Sequence, residues 1–395
     1  MSFRLLQFSD AHLGFEQYGN VTRLRDFAAS LEEVARVAIE MEVDAVVDTG
    51  DSFNSPHPDP FSIRAYRLFV EKLHRWGIKF IGVIGNHNRH EIQDKIPGMS
   101  WFSAVSDHVI RPMNPGSPIE IASAKREQSI WVVAADWMPS SDLPAFLSQI
   151  TSCPDALFMH QSCEQFLPSV AKPELMLSQV DGIARYVGVG DVHVTKSVVT
   201  PKGTIVGSSG STEMAKRDED PVKYVMLVTF DCEDRTKPPT CERIQISTRG
   251  VITFPVITIS EHIPPFIDSV ARQLAPGAAR QPMVVVAYSR KLHAEMTVAA
   301  ERIKEMGVEI VRLIPETEVK AEKEMEQILA SGSILMEEII VEMLKDNREA
   351  AELCLELWSS PTNATTIIES YISRIKDQYA NQGIQSEEHI PAPPP

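Results

Sequence analysis

The sequence predicts an α/β architecture in which two sheets face each other with helices outside. Three observations lead there. Over residues 1 to about 160, apolar runs of strand length alternate with stretches of helical periodicity, as in a βαβ series. From Val109 onward the runs become shorter strands separated by turns. Five of the runs also stop at loops carrying Asp, His or Asn, which puts hard ligand types at the carboxyl ends of strands, where open α/β sheets present their chemistry.

The elements follow in order. Phe3 to Phe8 is a strand that stops at Ser9-Asp10-Ala11-His12. Leu24, Phe27, Leu31, Val34, Ala35 and Ala38 form the stripe of a helix from Arg23 to Met41. Asp44 to Val47 is the second strand, closing at Asp48-Thr49-Gly50-Asp51. Pro60 to Trp76 is a helix, with proline at its start and Gly77 just past its end. Phe80 to Ile84 is a strand running into Gly85-Asn86-His87-Asn88, and Ser100 to Val105 reads as helical. Strands at 119–122, 130–135, 156–159, 186–189, 197–200, 204–206, 224–230 and 243–246 complete a first unit, residues 1–250.

Residues 251–330 predict a small α/β cap, with strands at 252–259, 283–287 and 308–313 and helices at 265–274 and 292–306. It carries no ligand cluster and reads as an accessory domain. In residues 331–382 the stripes Ile334, Leu335, Ile339, Ile340, Met343, Leu344 and Ile367, Ile368, Tyr371, Ile375 give helices whose apolar face needs a partner surface or a fold-back against the cap. The Pro-rich end, residues 383–395, is expected to be disordered.

The chain of 395 residues is 43% hydrophobic and 23% charged, the composition of an ordinary soluble protein. No apolar run approaches the roughly 20 residues that span a bilayer, and the first strand starts without a signal-peptide core, so a cytoplasmic location without membrane contact is expected. Five cysteines with no C-x-x-C pair indicate neither a disulfide framework nor a zinc knuckle. A net charge of -16 argues against an autonomous high-affinity DNA binder, although bound cations or a basic partner can supply the missing attraction.

Collected from the strand ends, the polar loop residues are Asp10, His12, Asp51, Asn86, His87, His160, Asp191 and His193. Asp and His with an Asn amide oxygen and no cysteine suit Mn(II), Fe(II) or Zn(II). They are too many for one tetrahedral ion. Two ions roughly 3.5 to 4 Å apart would use them, polarising a phosphoryl oxygen and activating a water.

At these residues the chain resembles the calcineurin-like metallophosphoesterases, whose ordered motifs match Asp10-x-His12, Gly50-Asp51-x-x-Asn54, Gly85-Asn86-His87-Asn88, His160 and Gly190-Asp191-x-His193. Within them it is similar to the SbcD and Mre-type DNA repair nuclease subunits, through Gly50-Asp51-Ser52-Phe53, the segment Gly207 to Glu213, and the cap followed by helices. The resemblance implies a four-layer α/β/β/α metallophosphoesterase sandwich. It gives one metal to Asp10, His12 and His193, the other to Asn86, His160 and Asp191, and the bridge to Asp51. His87 is then the catalytic acid. Asn54, Asn88, Arg89 and His90 are further candidates for the vicinity of the substrate.

By the same resemblance the cofactors are two divalent metal ions, Mn(II) first. The activity is exonuclease or endonuclease cleavage of DNA, the chain is a homodimer, and the C-terminal helices bind an SbcC/Rad-type coiled-coil ATPase in a repair and recombination complex. Two positions depart from the pattern. Asn88 stands where the family has a carboxylate after the catalytic His, and Asp191 where it has the first His of Gly-His-x-His. These departures motivate an alternative, an attenuated architectural subunit; the other alternative is a phosphatase or phosphodiesterase for small substrates. Lys172, Arg185, Lys196, Lys202, Lys216 and Arg217 are candidates for a phosphate path, although scattered surface lysines account for most such sets.

Overall fold

Two six-stranded sheets stack face to face in the computed structural model, which describes residues 2–88, 106–167, 172–217, 219–274, 280–317, 319, 352–355 and 371. In the first sheet β1 (Ser2–Phe8), β2 (Ala45–Asp48), β3 (Lys79–Gly82) and β4 (Val109–Ile110) run parallel, and antiparallel β11 (Lys223–Asp231) and β12 (Thr240–Ile246) extend it beyond β1. The second sheet has the order β5 (Ile119–Ala122), β6 (Ser129–Ala135), β7 (Ala156–Met159), β8 (Tyr186–Val189), β10 (Ile205–Ser208) and β9 (Lys196–Val199). Its four inner strands are parallel and its edges antiparallel.

Side-chain alternation builds the layers. On β1, Phe3 and Leu5 point into the core between the sheets, where they meet Val132, Ala134, Phe158 and Tyr186. Leu6 and Phe8 point the other way, into a core formed with Phe27, Leu31 and Val34 of α1 (Val21–Glu40) and Tyr66, Phe69, Val70 and Leu73 of α2 (Pro60–Arg75). The outer face of the second sheet, Val133, Leu157 and Val187, packs on Leu143 and Leu147 of α3 (Leu143–Leu147) and on Val180 of α4 (Leu177–Val180). This is the expected α/β/β/α sandwich. Asn20 starts α1 by accepting from the Thr22 N–H at 2.8 Å, and Asp59 does the same for Phe61 and Ser62 of α2.

A third, parallel sheet joins β13 (Val251–Ile257), β14 (Met283–Tyr288) and β15 (Val311–Pro315), with α5 (Ile263–Gln273) and α6 (His293–Glu305) packed on it. Its register shifts between Phe254 and Ile257, around Pro255, which has no N–H to give to a ladder, and the strand ends two residues earlier than expected. Met214, from the loop after β10, packs with Met283, Val285, Ile310 and Ile314 of this unit. Beneath that contact Arg23 binds Asp26 at 2.9 Å and Glu213 at 3.3 Å, while Arg249 binds Asp26 at 2.6 Å and Glu309 at 3.2 Å.

Residues 1–322 form one compact unit, and residues 323–395 a second. In the second, residues 352–355 and 371 are helical. The rest of the expected helical segment, the Pro-rich end and the expected helix at 100–105 lie outside the described residues. Among the described residues no helix is long and apolar enough to cross a membrane.

Candidate metal centre

Five parallel strands from both sheets deliver the cluster. The loops after β1, β2 and β3 bring Asp10 and His12, Asp51, and Asn86 and His87; those after β7 and β8 bring His160, and Asp191 and His193. The loops are tied edge to edge. Asp10 and His12 donate their N–H groups to the carbonyls of Gly50 and Asp51, both at 2.9 Å, and the N–H of Gly190 donates to Met159 at 3.1 Å. The His87 N–H donates to Asp51 Oδ1 at 3.0 Å.

The tight turns carry strain at the polar residues themselves. Asp10, His12, Asp51 and Asp191 all adopt positive φ, between 42° and 69°, a region sparsely used outside glycine and concentrated at functional sites. Two glycines allow the close approach. A Cβ on Gly50 would strike the His160 ring, and one on Gly85 the Asp51 carboxylate.

Asp10, His12 and His193 form one group of potential ligand atoms. His12 Nε2 and His193 Nε2 are 3.2 Å apart, and Asp10 Oδ1 is 3.7 Å from His193 Nε2. A second group gathers at His160 Nε2, which lies 3.1 Å from Asn86 Oδ1, 3.4 Å from Asp51 Oδ2 and 3.9 Å from Asp191 Oδ1. Asp51 belongs to both neighbourhoods, being grouped with His12 and His87 on one side and with Asp10 and His160 on the other.

The cluster is buried and incompletely satisfied. Asp10 is wholly buried, yet neither carboxylate oxygen has a hydrogen-bond partner, nor has His12 Nδ1. Buried polar atoms are rarely left so, because each costs about 1–3 kcal/mol or more. The donor set, the burial and these orphaned atoms together fit divalent cations.

The electrostatics agree. Burial raises the Asp10 carboxyl above the ordinary range despite His193 and His160 nearby. Burial, with His193 alongside, lowers the His12 imidazole to about 3, which leaves it neutral. Burial also pulls His160 down, but Asp51, Asp10 and Asp191 more than reverse it, to about 10. His160 Nδ1 faces the Thr49 carbonyl at 2.8 Å and must donate to it, so only Nε2 titrates within the cluster, and a cation there displaces a proton.

The sequence-predicted residues do not all converge. Asn54 is half-buried on the same zipped loops, its N–H bound to Leu13 O at 3.0 Å. Asn88, expected near substrate, is fully buried: Oδ1 accepts the Phe53 N–H at 3.2 Å and Nδ2 donates to the Phe53 carbonyl. An amide serves both roles and a carboxylate cannot, so Asn88 ties two ligand loops together instead of facing substrate. Arg89 and His90 lie outside the described residues.

Of the basic candidates, Lys216 stands near His193, where its charge only partly offsets the Glu219 and Asp10 carboxylates that raise that imidazole against the pull of burial, but Arg185 and Lys202 precede β8 and β10, at the opposite edge of the sheet. Arg185 is taken by Asp155 at 2.7 Å. Sequence reading missed Glu219, whose Oε1 is 2.6 Å from His193 Nδ1. It belongs to no motif and sits in an irregular loop, so no local signal marks it.

Residues 3–153 match the family model of the calcineurin-like phosphoesterases. This chain carries a calcineurin-like phosphoesterase domain. The matched span contains Asp10, His12, Asp51, Asn86 and His87, and the family is one of hydrolases that use divalent metals, in keeping with the cluster. The chain also resembles the Mre11 type of phosphoesterase. It is 25% identical over 239 residues to the DNA double-strand break repair protein Mre11 of Methanosarcina acetivorans, covering 58% of this chain and 37% of that protein. It is 22% identical over 221 residues to the Mre11 of Saccharolobus solfataricus (55% and 56%), and 24% over 274 residues to that of Sulfurisphaera tokodaii (66% and 67%). The chain thus spans from about a third to two thirds of the length of these relatives.

Proposed function

We propose that this phosphoesterase is a two-metal DNA phosphodiesterase, the nuclease subunit of an SbcC/SbcD-type repair complex. The observation that carries the reading is the paired cluster at His193 and at His160, with Asp51 between them and orphaned Asp10 oxygens beneath. In this reading Asp10, His12 and His193 would hold one divalent ion and Asn86, His160 and Asp191 the other, with Asp51 placed to serve both. Such a pair, Mn(II) first, would supply Lewis-acid polarisation of a phosphoryl oxygen and a water of lowered pKa.

The chain's own residues supply the rest. His12 and His160 are buried, whereas the His87 side chain is 49% exposed at the mouth of the cluster, edge-on to His12 with ring centroids 5.2 Å apart. Its Nε2 stands 4.0 Å from Asp51 Oδ2, beside the ligands and open to substrate. It is therefore assigned the proton donated to the departing sugar oxygen, a role worth about 10² to 10⁴ in rate. Asn88 keeps the loop of His87 fixed to that of Asp51, so its contribution to this role is to position the loop. Lys216 is assigned to a substrate phosphate.

DNA as substrate rests on the Mre11 relatives, with the cap selecting and orienting the duplex end. A homodimer is supported by the outer face of α2, where Phe61, Leu68 and Trp76 are exposed beside Arg64 and Arg67. The C-terminal helices are assigned to the coiled-coil ATPase, and the cytoplasm is the proposed location. Cleavage of an end-labelled duplex in Mn(II), beside a chelator reaction and His87→Ala, tests the reading. Metal-dependent cutting that falls at least 100-fold in the variant is expected. Hydrolysis of a small chromogenic diester with no cutting of duplex, alone or with the ATPase partner and ATP, overturns the assignment to DNA.

A further inference from the structure

Two histidines of the cluster are held from behind by unlike groups. His160 Nδ1 donates to a neutral carbonyl, that of Thr49, at 2.8 Å. His193 Nδ1 instead meets the carboxylate of Glu219 at 2.6 Å, and its Nε2 faces His12 Nε2 at 3.2 Å and Asp10 Oδ1 at 3.7 Å. Glu219 is itself fixed on several sides. It accepts from Lys223 Nζ at 2.7 Å, Ser211 Oγ at 3.2 Å, and the N–H groups of Ala215 at 3.1 Å and Lys216 at 3.0 Å. Lys223 is buried at the start of β11, so the carboxylate is anchored to the first sheet, while His193 follows a strand of the second.

We propose that Glu219 is a positioning residue for His193, holding the Nδ1–H tautomer across the two sheets so that Nε2 presents its lone pair to the ion shared with Asp10 and His12. The inference rests on the metal-site reading above. A carboxylate behind an imidazole fixes ring orientation and raises its basicity, and loss of such a partner costs about 10- to 100-fold in metal affinity. The two ion sites are therefore unequal by construction. The site at His193 depends on Glu219, and the site at His160 does not.

Calorimetric titration of the full chain with MnCl2 tests this, with His193→Ala, Glu219→Gln and the double variant Glu219→Gln/Lys223→Met, which leaves no unpaired buried charge. The wild type should take two ions and His193→Ala one. Both Glu219 variants should still take two, with one about 10- to 100-fold weaker and the other unchanged. In the metal-free wild type, recorded with the His193 imidazole neutral, its nitrogen spectrum should show the proton on Nδ1, and in the double variant a shift toward Nε2. If His193→Ala loses an ion while both Glu219 variants bind like wild type, Glu219 has no positioning role and the metal-site reading stands. If His193→Ala leaves the stoichiometry unchanged, the metal-site reading fails and takes this inference with it.

Discussion

Two of the buried polar clusters among the described residues differ in what satisfies them. Around Arg23 and Arg249 every charge meets a partner within the chain. Arg23 bonds Gln17, Asp26, Glu213 and the Met214 carbonyl, and Arg249 bonds Asp26, Glu309 and the Gln281 carbonyl. At the strand ends, Asp10 and His12 keep atoms with no partner, and four residues sit in strained backbone. The first cluster is complete as protein and serves the join between the sandwich and the cap sheet. The second is left incomplete by the protein alone, the pattern expected of a site that binds and not of one that only stabilises.

Breaking the first cluster should have the largest effect on folding. Arg249→Met leaves Asp26 and Glu309 without one of their partners, and removal of one member of a buried ion network typically costs about 3–5 kcal/mol. Urea unfolding should show that loss, and a cost below about 1 kcal/mol would mean that the network is not closed. Next comes Asn88→Asp, which sets a carboxylate against the Phe53 carbonyl. A loss of about 1–3 kcal/mol is expected in the same assay, together with weaker cleavage because two ligand loops come apart.

A pH titration sharpens the contrast further. Burial pushes Glu219 up, but its hydrogen bond to His193 and the charges of His193 and Lys223 hold it down, at about 2 instead of an ordinary 4.5. With the folded value below the unfolded one, the stability Glu219 contributes is present above about pH 4.5 and is lost as pH falls toward 2. The stability difference between wild type and Glu219→Gln should therefore close over that window, and a constant difference would contradict the pairing. The smallest effect belongs to Lys202→Ala, at the far edge of the second sheet. Cleavage should change less than about twofold, within the range of ordinary surface substitutions.

Much of this was legible in the sequence, for reasons that also explain the gaps. Strand ends such as Gly85-Asn86-His87 announce themselves because a short apolar run must stop at a turn, and the turn residues are the ligands. The stripe of α1 is legible from Leu24 to Ala38, but nothing in the sequence marks Arg23 and Asp26 on the same helix as a buried pair. Their partners, Glu213, Arg249 and Glu309, are brought to them only by tertiary folding. Glu219 escaped for the same reason, being 26 residues from His193 in an irregular loop. The helices Leu143–Leu147 and Leu177–Val180 are too short to show a stripe. Asn88 was read as a lost carboxylate because its neighbour in sequence is His87, whereas its partner in space is Phe53.

The claim that the strand-end cluster is unfinished without cations is tested most directly by thermal unfolding of wild type and Asp10→Asn, each in chelator and in saturating Mn(II). Because Asp10 is buried with no hydrogen bond to either oxygen and its carboxyl is raised, the substitution should leave the protein as stable as wild type or more so in chelator. In Mn(II) the order should reverse, since an ion at 100 times its dissociation constant adds about 2.7 kcal/mol to the wild type and less to the variant. An Asp10→Asn protein that is less stable in chelator and gains as much as wild type from Mn(II) would contradict the account.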